Sequence, residues 1–545
     1  MTRLHAAKQS PEVRRRPRRW WSGAAWAGSS IVLYALALRI SLGGRIDSDG
    51  ANNALQAWDL IHGHLLLHGW LLGDATFYSF ELPLIGLAQL VFGLGTLSTH
   101  VASALVFLIV AACVVALAVT GSRGPARAAR SAVALAVLAA PLLTMQTVWL
   151  LVEEPDHTGT SVFLLASIGL IDRVPGRRFT APLICVILCA GQLSDLTVRY
   201  VAVPAIVVAC GYRVLATRKL RSSDAAAVVA AAVSVPLAWL LSALMKRAGG
   251  FLMDQPRTTV APLRQWPSHA PAVWGAVRYL FGTVDRPDTL LGPFGAAFGM
   301  ACLAATVIGF VRVAWTWRRA SAAEQLLAVA IVVNLGVYLV SAKPEASGSH
   351  EIAAVLPCGA VLAARTLVPA RITGELRAVA IAMATVLIAL LPLGSAATRP
   401  SAGPALGPAQ QGDGAIAPTA PLTSFLQAHG LRYGIAGYWD ASIVSLQSSG
   451  KVKVRAVVVA PKPHTATWEI TAPWWETSSL WYDAARHDAT FAVADVHGRY
   501  PAAAFEQVFG RPAATYRVQN WLILEYHTNL LGHLPPRLPI GTGSK

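Results

Sequence analysis

Two carboxylates stand two residues apart in the stretch Ile46-Asp47-Ser48-Asp49-Gly50, directly after the first long apolar run of the chain. Ionisable groups are costly at the edge of a membrane and are kept there mainly for function. A carboxylate in such a place can act as a general base that takes the proton from an attacking hydroxyl group. We therefore predict that Asp47 and Asp49 are catalytic candidates.

A second group of acidic side chains is crowded into one later segment, which contains Glu153, Glu154, Asp156 and His157. Carboxylate oxygens are the ligands that hard divalent cations such as Mg²⁺, Mn²⁺ or Ca²⁺ prefer. A cation bound here could neutralise a departing phosphate group. The sequence predicts a divalent cation held by these four residues together with Asp49, and no organic cofactor.

Charged residues in other predicted loops are candidates for substrate binding. They are Glu81, Asp195, Arg199, Arg278, Lys343 and His350. Cationic side chains among them could bind a phosphate group. The acidic clusters come early and the basic ones late in the chain, and all are predicted to lie on one side of a membrane. That distribution suits group transfer from a lipid phosphate to a hydroxyl group.

The composition is that of a protein that crosses a membrane many times. Hydrophobic residues make up 54% of the chain and charged residues 13%, with a mean hydropathy of +0.50, whereas soluble domains carry about 25% charged residues. A spanning helix needs about 20 apolar residues. We predict about eleven transmembrane helices, near residues 22–40, 98–120, 131–151, 158–172, 180–195, 198–213, 225–245, 290–312, 324–342, 352–370 and 376–396.

Basic residues cluster in short loops between alternate apolar runs, as Arg123, Arg127 and Arg130 do. Such loops are typical of the cytoplasmic side of a membrane. This placement, and not nucleic-acid binding, explains the formal net charge of +17. We predict a bacterial cytoplasmic membrane protein whose basic N-terminus, 1–21, is cytoplasmic.

The same rule assigns the long loops 41–97 and 246–289 to the external side. Residues 82–96 are apolar enough to suggest a further span, but counting them would place a basic loop outside. We therefore predict that loop 41–97 holds two helices lying in the membrane interface, at 51–62 and 81–95.

The last part of the chain has the composition of a small α/β domain. A Pro-, Gly- and Ala-rich linker, 397–420, separates the transmembrane domain 22–396 from this domain and its tail, 421–545. An odd number of spans after a cytoplasmic N-terminus predicts an extracytoplasmic location. The pattern predicts helices and strands over Thr423–Gly430, Tyr433–Tyr438, Asp440–Ser448, Lys451–Val459, Phe491–Val496 and Thr515–Glu525.

Most of these candidates also have an ordinary structural explanation. Asp49 suits a helix N-cap, and Asp195 could simply pair with Arg199 one helical turn later. The acidic segment could be a solvated turn, and the basic groups could be surface charges. Three tryptophans of the last domain either form a sugar-stacking surface or pack that domain onto the membrane; they are Trp474, Trp475 and Trp481.

The first loop resembles that of known membrane enzymes. The pattern Asp49-Gly-Ala-Asn-Asn-Ala-Leu-Gln-Ala-Trp-Asp-Leu-Ile-His-Gly63 is similar to the first external loop of GT-C glycosyltransferases, among them protein mannosyltransferases, lipid A aminoarabinose transferases and actinobacterial arabinosyltransferases. The resemblance implies an inverting transferase that uses a polyprenyl-phosphate sugar, with the catalytic Asp at Asp49. Gly50 stands where many members have Glu.

The sequence thus predicts a mainly α-helical, polytopic GT-C-like glycosyltransferase with a small C-terminal extracytoplasmic α/β domain. Its expected partners are a polyprenyl-phosphate sugar, membrane lipids and an acceptor that is a cell-envelope glycan, lipid or protein. Two alternatives stay open. One is a multi-pass transporter or lipid flippase. The other is a GT-C-like scaffold without catalysis, which is suggested by Gly50 in place of the common Glu.

Overall fold

The computed structural model describes residues 18–73, 75–144, 149–153, 157–253, 260–283, 292–342, 344–346, 348–370, 419–462, 467–473, 475–496 and 500–535. Up to residue 370 the described chain is mainly helical. Its α-helices are α1 (Arg18–Gly43), α2 (Ser48–Ile61), α3 (Glu81–Phe92), α4 (Thr96–Ala118), α5 (Pro125–Ala139), α6 (Thr160–Arg173), α7 (Thr180–Ser194), α8 (Val203–Thr217), α9 (Ser223–Arg247), α10 (Trp266–Leu280), α11 (Gly292–Trp315), α12 (Ala322–Val340) and α13 (Val355–Leu367). Two π-helical segments, Trp149–Glu153 and Val198–Ala202, adjoin the predicted site.

The mainly α polytopic architecture is confirmed. Within the described residues six helical segments are long and apolar enough to cross a membrane, or seven if a bent pair counts as one span. They are Thr96–Ala118, Pro125–Leu143, Val198–Thr217, Ser223–Arg247, Pro293–Trp315 and Ala322–Val340. The predicted number of eleven spans is not confirmed, because several predicted spans coincide with shorter helices such as α7 and α13, and 376–396 lies outside the described residues.

The first predicted loop contains two helices, as expected, with shifted bounds. The chain turns by 116° between the end of α1 and α2. Helix α3 has 12 residues, too few to cross a membrane at 1.5 Å per residue, and exposes Leu87 and Leu90. Gly86 lets α3 approach α2 closely, since a Cβ there would lie 2.6 Å from Ile61 Cγ2. The apolar exposed face suits the membrane interface.

The helix ends on the predicted cytoplasmic side are joined by buried cations. Arg365, at the end of α13, lies 3.3 Å from both Asp172 and Glu324. Arg130 donates hydrogen bonds to four backbone carbonyls, including those of Ala118 and Val368. The bonds from Arg130 satisfy carbonyl groups that helix ends leave unpaired, so these arginines contribute to the packing of the helix ends.

The C-terminal α/β domain is also confirmed. Its helices are α14 (Ala420–Ala428), α15 (Tyr438–Gln447) and α16 (Ala502–Phe509). The strands of its sheet are β3 (Tyr433–Gly437), β4 (Lys453–Pro461), β5 (Trp468–Thr471), β7 (Phe491–Asp495), β8 (Ala514–Val518) and β9 (Trp521–Glu525). The six strands lie in the order β5-β4-β3-β7-β9-β8. Strands β4, β3 and β7 are parallel and the others antiparallel.

The predicted strand Thr515–Glu525 is in fact a hairpin of β8 and β9. Gln519 has a positive φ of 52° between the two strands, which allows the tight reversal. The burial pattern of β9 places Trp521 and Ile523 inside the domain. The apolar pattern predicted the strands, but the sequence lacks the glycine that usually marks such a turn.

A second, three-stranded sheet joins distant parts of the chain. Strand β1 (Trp70–Leu72) pairs in parallel with β2 (Leu252–Met253) and antiparallel with β6 (Thr477–Ser478). Beside it the ring of Trp481 packs edge-on against Trp70 and lies 4.1 Å from the guanidinium carbon of Arg455. Trp481 therefore packs the C-terminal domain against the first loop. This packing accounts for the tryptophan without a sugar-stacking role.

Asp440 makes the stability of the C-terminal domain depend on pH. Burial raises the pKa of this carboxyl group to about 7, and the charge of Asp495 adds to the effect while a hydrogen bond from Trp521 opposes it. The fold favours the neutral form, so stability is lost progressively as pH rises from the unfolded pKa of 3.8 to the folded pKa of about 7. We expect Asp440→Asn to be more stable than wild type at pH 8, by roughly 4 kcal/mol at most, and therefore to unfold at a higher temperature. This advantage should shrink steadily toward pH 4.

Thermal unfolding in detergent between pH 4 and 8 measures this difference. Asp488→Asn, at an exposed position of the same domain, is the matched control and should follow wild type at each pH. Parallel pH profiles for Asp440→Asn and wild type would contradict the assignment.

Candidate active site

The two acidic residues of the first loop have different roles in the structure. Asp47 is the N-cap of α2, because its side chain accepts hydrogen bonds from the backbone N–H groups of Asp49 and Gly50 at 2.7 and 3.1 Å. Asp49 lies in the first turn and is exposed. The N-cap alternative considered for Asp49 therefore belongs to Asp47, and the helix begins three residues earlier than predicted.

Asp49 is contacted by the C-terminal domain. The hydroxyl group of Tyr438, the first residue of α15, donates a hydrogen bond to Asp49 Oδ1. The neighbouring Ser48 hydroxyl donates to the Tyr438 carbonyl oxygen at 2.7 Å. One turn later on both helices, Ser442 Oγ donates to Asn52 Oδ1 at 2.8 Å. The start of α2 is thus held between the first span and a domain almost 400 residues later in the chain.

Glu476 extends this interface. Its carboxylate accepts hydrogen bonds from Gln56 Nε2 at 2.9 Å and from the backbone N–H of Gly73 at 2.8 Å. The adjacent Trp475 lies against Tyr438, with ring centroids 5.6 Å apart. Glu476 was not predicted as a site residue, because nothing in the neighbouring sequence distinguishes it from a surface acid. Trp474, which was selected, lies outside the described residues.

Four residues predicted from separate loops meet in a second cluster. Asp195, in the turn after α7, accepts a hydrogen bond from His157 Nδ1 at 2.7 Å and another from the Thr160 hydroxyl. The backbone N–H of Thr197 donates to its other oxygen at 2.7 Å. The ring of His350 stacks on that of His157, with centroids 5.6 Å apart. Glu81 completes the group.

Asp195 is charged although it is buried. Burial alone would raise the pKa of this carboxyl group, but the charge of His157 and the three hydrogen bonds outweigh burial and hold the pKa below its usual value. The alternative of a simple pair with Arg199 is not what the described contacts show, because Arg199 Nε donates to Gln192 Oε1 at 3.3 Å.

Glu81, the first residue of α3, has the opposite character. Burial raises the pKa of its carboxyl group to about 8. A backbone hydrogen bond at Glu81 itself opposes this shift, the charge of Asp195 adds to it, and the smaller effects of His157 and Ser194 oppose it. The Ser194 hydroxyl lies 3.4 Å from Glu81 Oε2. At neutral pH Glu81 is therefore mainly protonated, so that it can donate a hydrogen bond and does not repel a phosphate group.

Gly159 makes room for this carboxyl group, and sequence analysis did not select it. A Cβ at position 159 would overlap the Glu81 carboxyl oxygen and the ring of Phe80. We expect Gly159→Ala to displace Glu81 and to lower transfer activity about 10- to 100-fold, since a small misplacement of site residues can cost 10²-fold. Initial rates measure the effect, with Gly211→Ala as the control because a Cβ there meets open space. Equal activity of Gly159→Ala and wild type would remove Glu81 from the site.

A small cavity adjoins the second cluster. It has a volume of about 10 Å³ and is lined by His157, Thr160, Thr197, Asn334 and His350 among others. Such a volume admits one water molecule and no sugar. Asn334 is buried, and its Oδ1 has no hydrogen-bond partner within the described part of the chain, which suits a bound water. A sugar would have to approach this cluster from outside.

A much larger groove lies between α10, α11 and α12. It has a volume of about 420 Å³, and its lining is almost wholly apolar, with Trp274, Phe310 and Leu335 among its residues. Its dimensions and composition suit a hydrocarbon chain. Arg278 lies on α10 as well, and its Nε is 3.4 Å from the Thr283 hydroxyl.

The remaining predicted residues are not tested. Lys343, Glu154 and Asp156 lie outside the described residues, as does the side chain of Glu153. Among the groups that are described, no three His, Cys, Asp or Glu side chains are placed to hold a metal ion. The divalent-cation site predicted at Asp49, Glu153, Glu154, Asp156 and His157 therefore stays a prediction.

The fold of this chain is similar to that of solved membrane proteins. The chain is similar to ArnT from Cupriavidus metallidurans in the apo state, with a TM-score of 0.53 and 11% identity over 95% of this chain and 100% of that one. The same ArnT bound to undecaprenyl phosphate has a TM-score of 0.49 and 14% identity over 94% and 100%. The AglB oligosaccharyltransferase from Archaeoglobus fulgidus, in complex with an inhibitory peptide and a dolichol-phosphate, has a TM-score of 0.44 and 12% identity over 87% and 70%.

No family model matches the sequence, and no curated protein matches it either. ArnT is a membrane glycosyltransferase of the GT-C superfamily. The resemblance predicted from the first loop is therefore confirmed at the level of the fold, and the chemistry has to be argued from the site itself.

Proposed function

We propose that this protein is a membrane glycosyltransferase that takes its sugar from a polyprenyl-phosphate donor and passes it to a cell-envelope acceptor. One observation carries the proposal: an exposed carboxylate, Asp49, lies in the first turn of helix α2, directly after the first span, on a fold similar to that of ArnT. The apolar groove between α10 and α12 supports a lipid-linked donor, because a prenyl chain needs such a surface.

In the proposed reaction Asp49 takes the proton of an acceptor hydroxyl group. The acceptor oxygen forms a bond to the anomeric carbon while the bond between that carbon and the phosphate oxygen breaks. The electron pair of the broken bond leaves with the phosphate group. Attack from the face opposite the phosphate inverts the anomeric configuration.

The second cluster is suited to the phosphate side of the reaction. Glu81 is mainly protonated at neutral pH, and its pKa responds to the charge of His157, whose ring stacks on that of His350. Arg278 and Lys343 are further proposed phosphate contacts, and a divalent cation at Asp49 and residues 153–157 would supply charge neutralisation. We propose that Asp195 orients His157, since its carboxylate accepts the His157 Nδ1 proton.

We also propose the orientation that this chemistry needs. The N-terminus would be cytoplasmic, and Asp49 and the C-terminal domain would face the outside of a bacterial cytoplasmic membrane. The contact between Asp49 and Tyr438 supports a common side for the first loop and the last domain, because the two are joined directly.

Sugar transfer in isolated membranes tests the proposal. Membranes containing the protein would receive a panel of radiolabelled polyprenyl-phosphate sugars with Mg²⁺, Mn²⁺ or Ca²⁺, and label in acceptors would be counted. We expect transfer from at least one donor, and none from membranes lacking the protein. Absence of transfer from every donor, with the protein folded, would favour the transporter or scaffold alternatives.

A further inference from the structure

The C-terminal domain contacts the proposed base through the phenol group of Tyr438. The Tyr438 hydroxyl donates to Asp49 Oδ1 across a sequence separation of 389 residues. Asp49 itself is exposed, and an exposed side chain samples several rotamers unless contacts select one of them. The hydrogen bond from the phenol group is such a contact.

Both sides of the interface fix the position of this phenol. Tyr438 is 6% exposed, and its ring packs against Trp475 and Trp439 with centroids 5.6 and 5.2 Å away. Asn52 Nδ2 donates to the Tyr438 hydroxyl oxygen at 3.3 Å. With the Ser48 bond to its carbonyl oxygen, Tyr438 is anchored at its backbone, its ring and its hydroxyl group.

The hydrogen bond from Tyr438 bears on how the carboxylate group of Asp49 is oriented. Because Tyr438 donates to Oδ1, it narrows the range of orientations that the carboxylate group adopts. An attacking hydroxyl group must meet its base within about 3 Å and along a narrow range of angles, and loss of such alignment can cost about 10²-fold in rate.

We propose that Tyr438 is a positioning residue for Asp49, so that the C-terminal domain completes the active site of the transmembrane domain. This inference rests on the proposed function. It assigns to the last domain a direct part in catalysis and predicts that the transmembrane part alone would be a poor enzyme.

Tyr438→Phe tests the inference, because it removes only the hydroxyl group and keeps the packing of the ring. We expect kcat to fall about 10- to 100-fold while KM for the polyprenyl-phosphate donor stays within about twofold, since the contact orients the base without touching the donor. Ser442→Ala is the matched control. It removes another hydrogen bond between α15 and α2 and should keep wild-type kcat.

A stability cycle gives a readout that does not need activity. Wild type, Asp49→Ala, Tyr438→Phe and the double variant would be unfolded thermally in detergent. Because the two side chains contact each other, we expect the loss of Tm in the double variant to be smaller than the sum of the two single losses. The pair Asp49→Ala and Tyr482→Phe, whose phenol bonds to Ala456 elsewhere in the domain, should be additive.

The outcomes separate the inference from the proposed function. Wild-type kcat in Tyr438→Phe, or additive losses of Tm for Asp49→Ala and Tyr438→Phe, would overturn the positioning role and leave the proposed transferase intact. Equal loss of kcat in Ser442→Ala and Tyr438→Phe would show a purely structural interface and overturn it as well. A wild-type protein inactive with every donor would overturn the proposed function, and with it any catalytic role of Tyr438.

Discussion

Asp49→Asn is expected to lower the rate of sugar transfer by about 10²- to 10⁴-fold, the usual contribution of a general base. The substitution keeps the size and shape of the side chain but removes its ability to accept a proton. Its amide oxygen can still accept the hydrogen bond from Tyr438 that the carboxylate accepts in wild type. The protein should therefore fold normally and bind its donor, and the loss should fall on kcat.

The measurement is the initial rate at saturating donor, with equal amounts of folded protein confirmed by gel filtration in detergent. Asp488→Asn, an exposed acid of the C-terminal domain, carries the same chemical change away from the site and should be fully active. Asp47→Asn should have a smaller effect than Asp49→Asn, since Asp47 acts as the N-cap of α2 and asparagine is also a good N-cap. Full activity of Asp49→Asn would remove the base from its proposed position.

Asp195→Asn is expected to have the second largest effect, and to act on stability as well as activity. Asp195 accepts hydrogen bonds from His157, Thr160 and the N–H of Thr197 in a buried turn. An asparagine there would turn an amide N–H₂ group toward at least one of these donors. Removal of one partner of a buried pair costs about 3–5 kcal/mol, so the midpoint of thermal unfolding should fall by several degrees.

Activity should fall with it, because His157 would lose the carboxylate that holds its ring beside His350 and Glu81. The low pKa of Asp195 also determines how the stability depends on pH. The contribution of Asp195 to stability is present above the unfolded pKa and is lost as pH falls through the folded pKa. Wild type and Asp195→Asn should therefore converge in stability under acid conditions. Asp224→Asn, which breaks a partly exposed pair with Arg213, is the control and should cost less.

Stability differences that persist unchanged from pH 7 to acid conditions would contradict this account of Asp195. A stable but inactive Asp195→Asn protein would assign the residue to function alone. A destabilised protein with wild-type kcat would assign it to packing alone. Both the unfolding midpoint and the rate are therefore needed.

Much of the fold could be predicted from the chain because it follows from local patterns. Apolar runs located most of the helices, and the alternation over Lys451–Val459 predicted strand β4. The exclusion of 82–96 as a span rested on the positive-inside rule, and the 12-residue length of α3 agrees with it. The number of spans was harder, because helices such as α7 are shorter than a membrane is thick.

The site could be predicted only in part, since its contacts join residues that are far apart in sequence. Asp49 was found because its surroundings form a local motif, whereas its partner Tyr438 is set by the docking of a separate domain. Glu81, Asp195, His157 and His350 were each noticed as unusual charges in different loops, but nothing local showed that they would meet. Gly159 carries no signal at all, because its role depends on a carboxyl group placed by another helix.

The most direct measurement is turnover of a labelled donor by the purified protein in lipid nanodiscs. The donor would carry ³H in the sugar, and release of polyprenyl phosphate would be followed by thin-layer chromatography, with the matching sugar nucleotide as a parallel donor. The account predicts that wild type consumes at least one polyprenyl-phosphate sugar, that Asp49→Asn does not, and that neither uses the sugar nucleotide. Equal consumption by wild type and Asp49→Asn, or consumption of the sugar nucleotide alone, would contradict it.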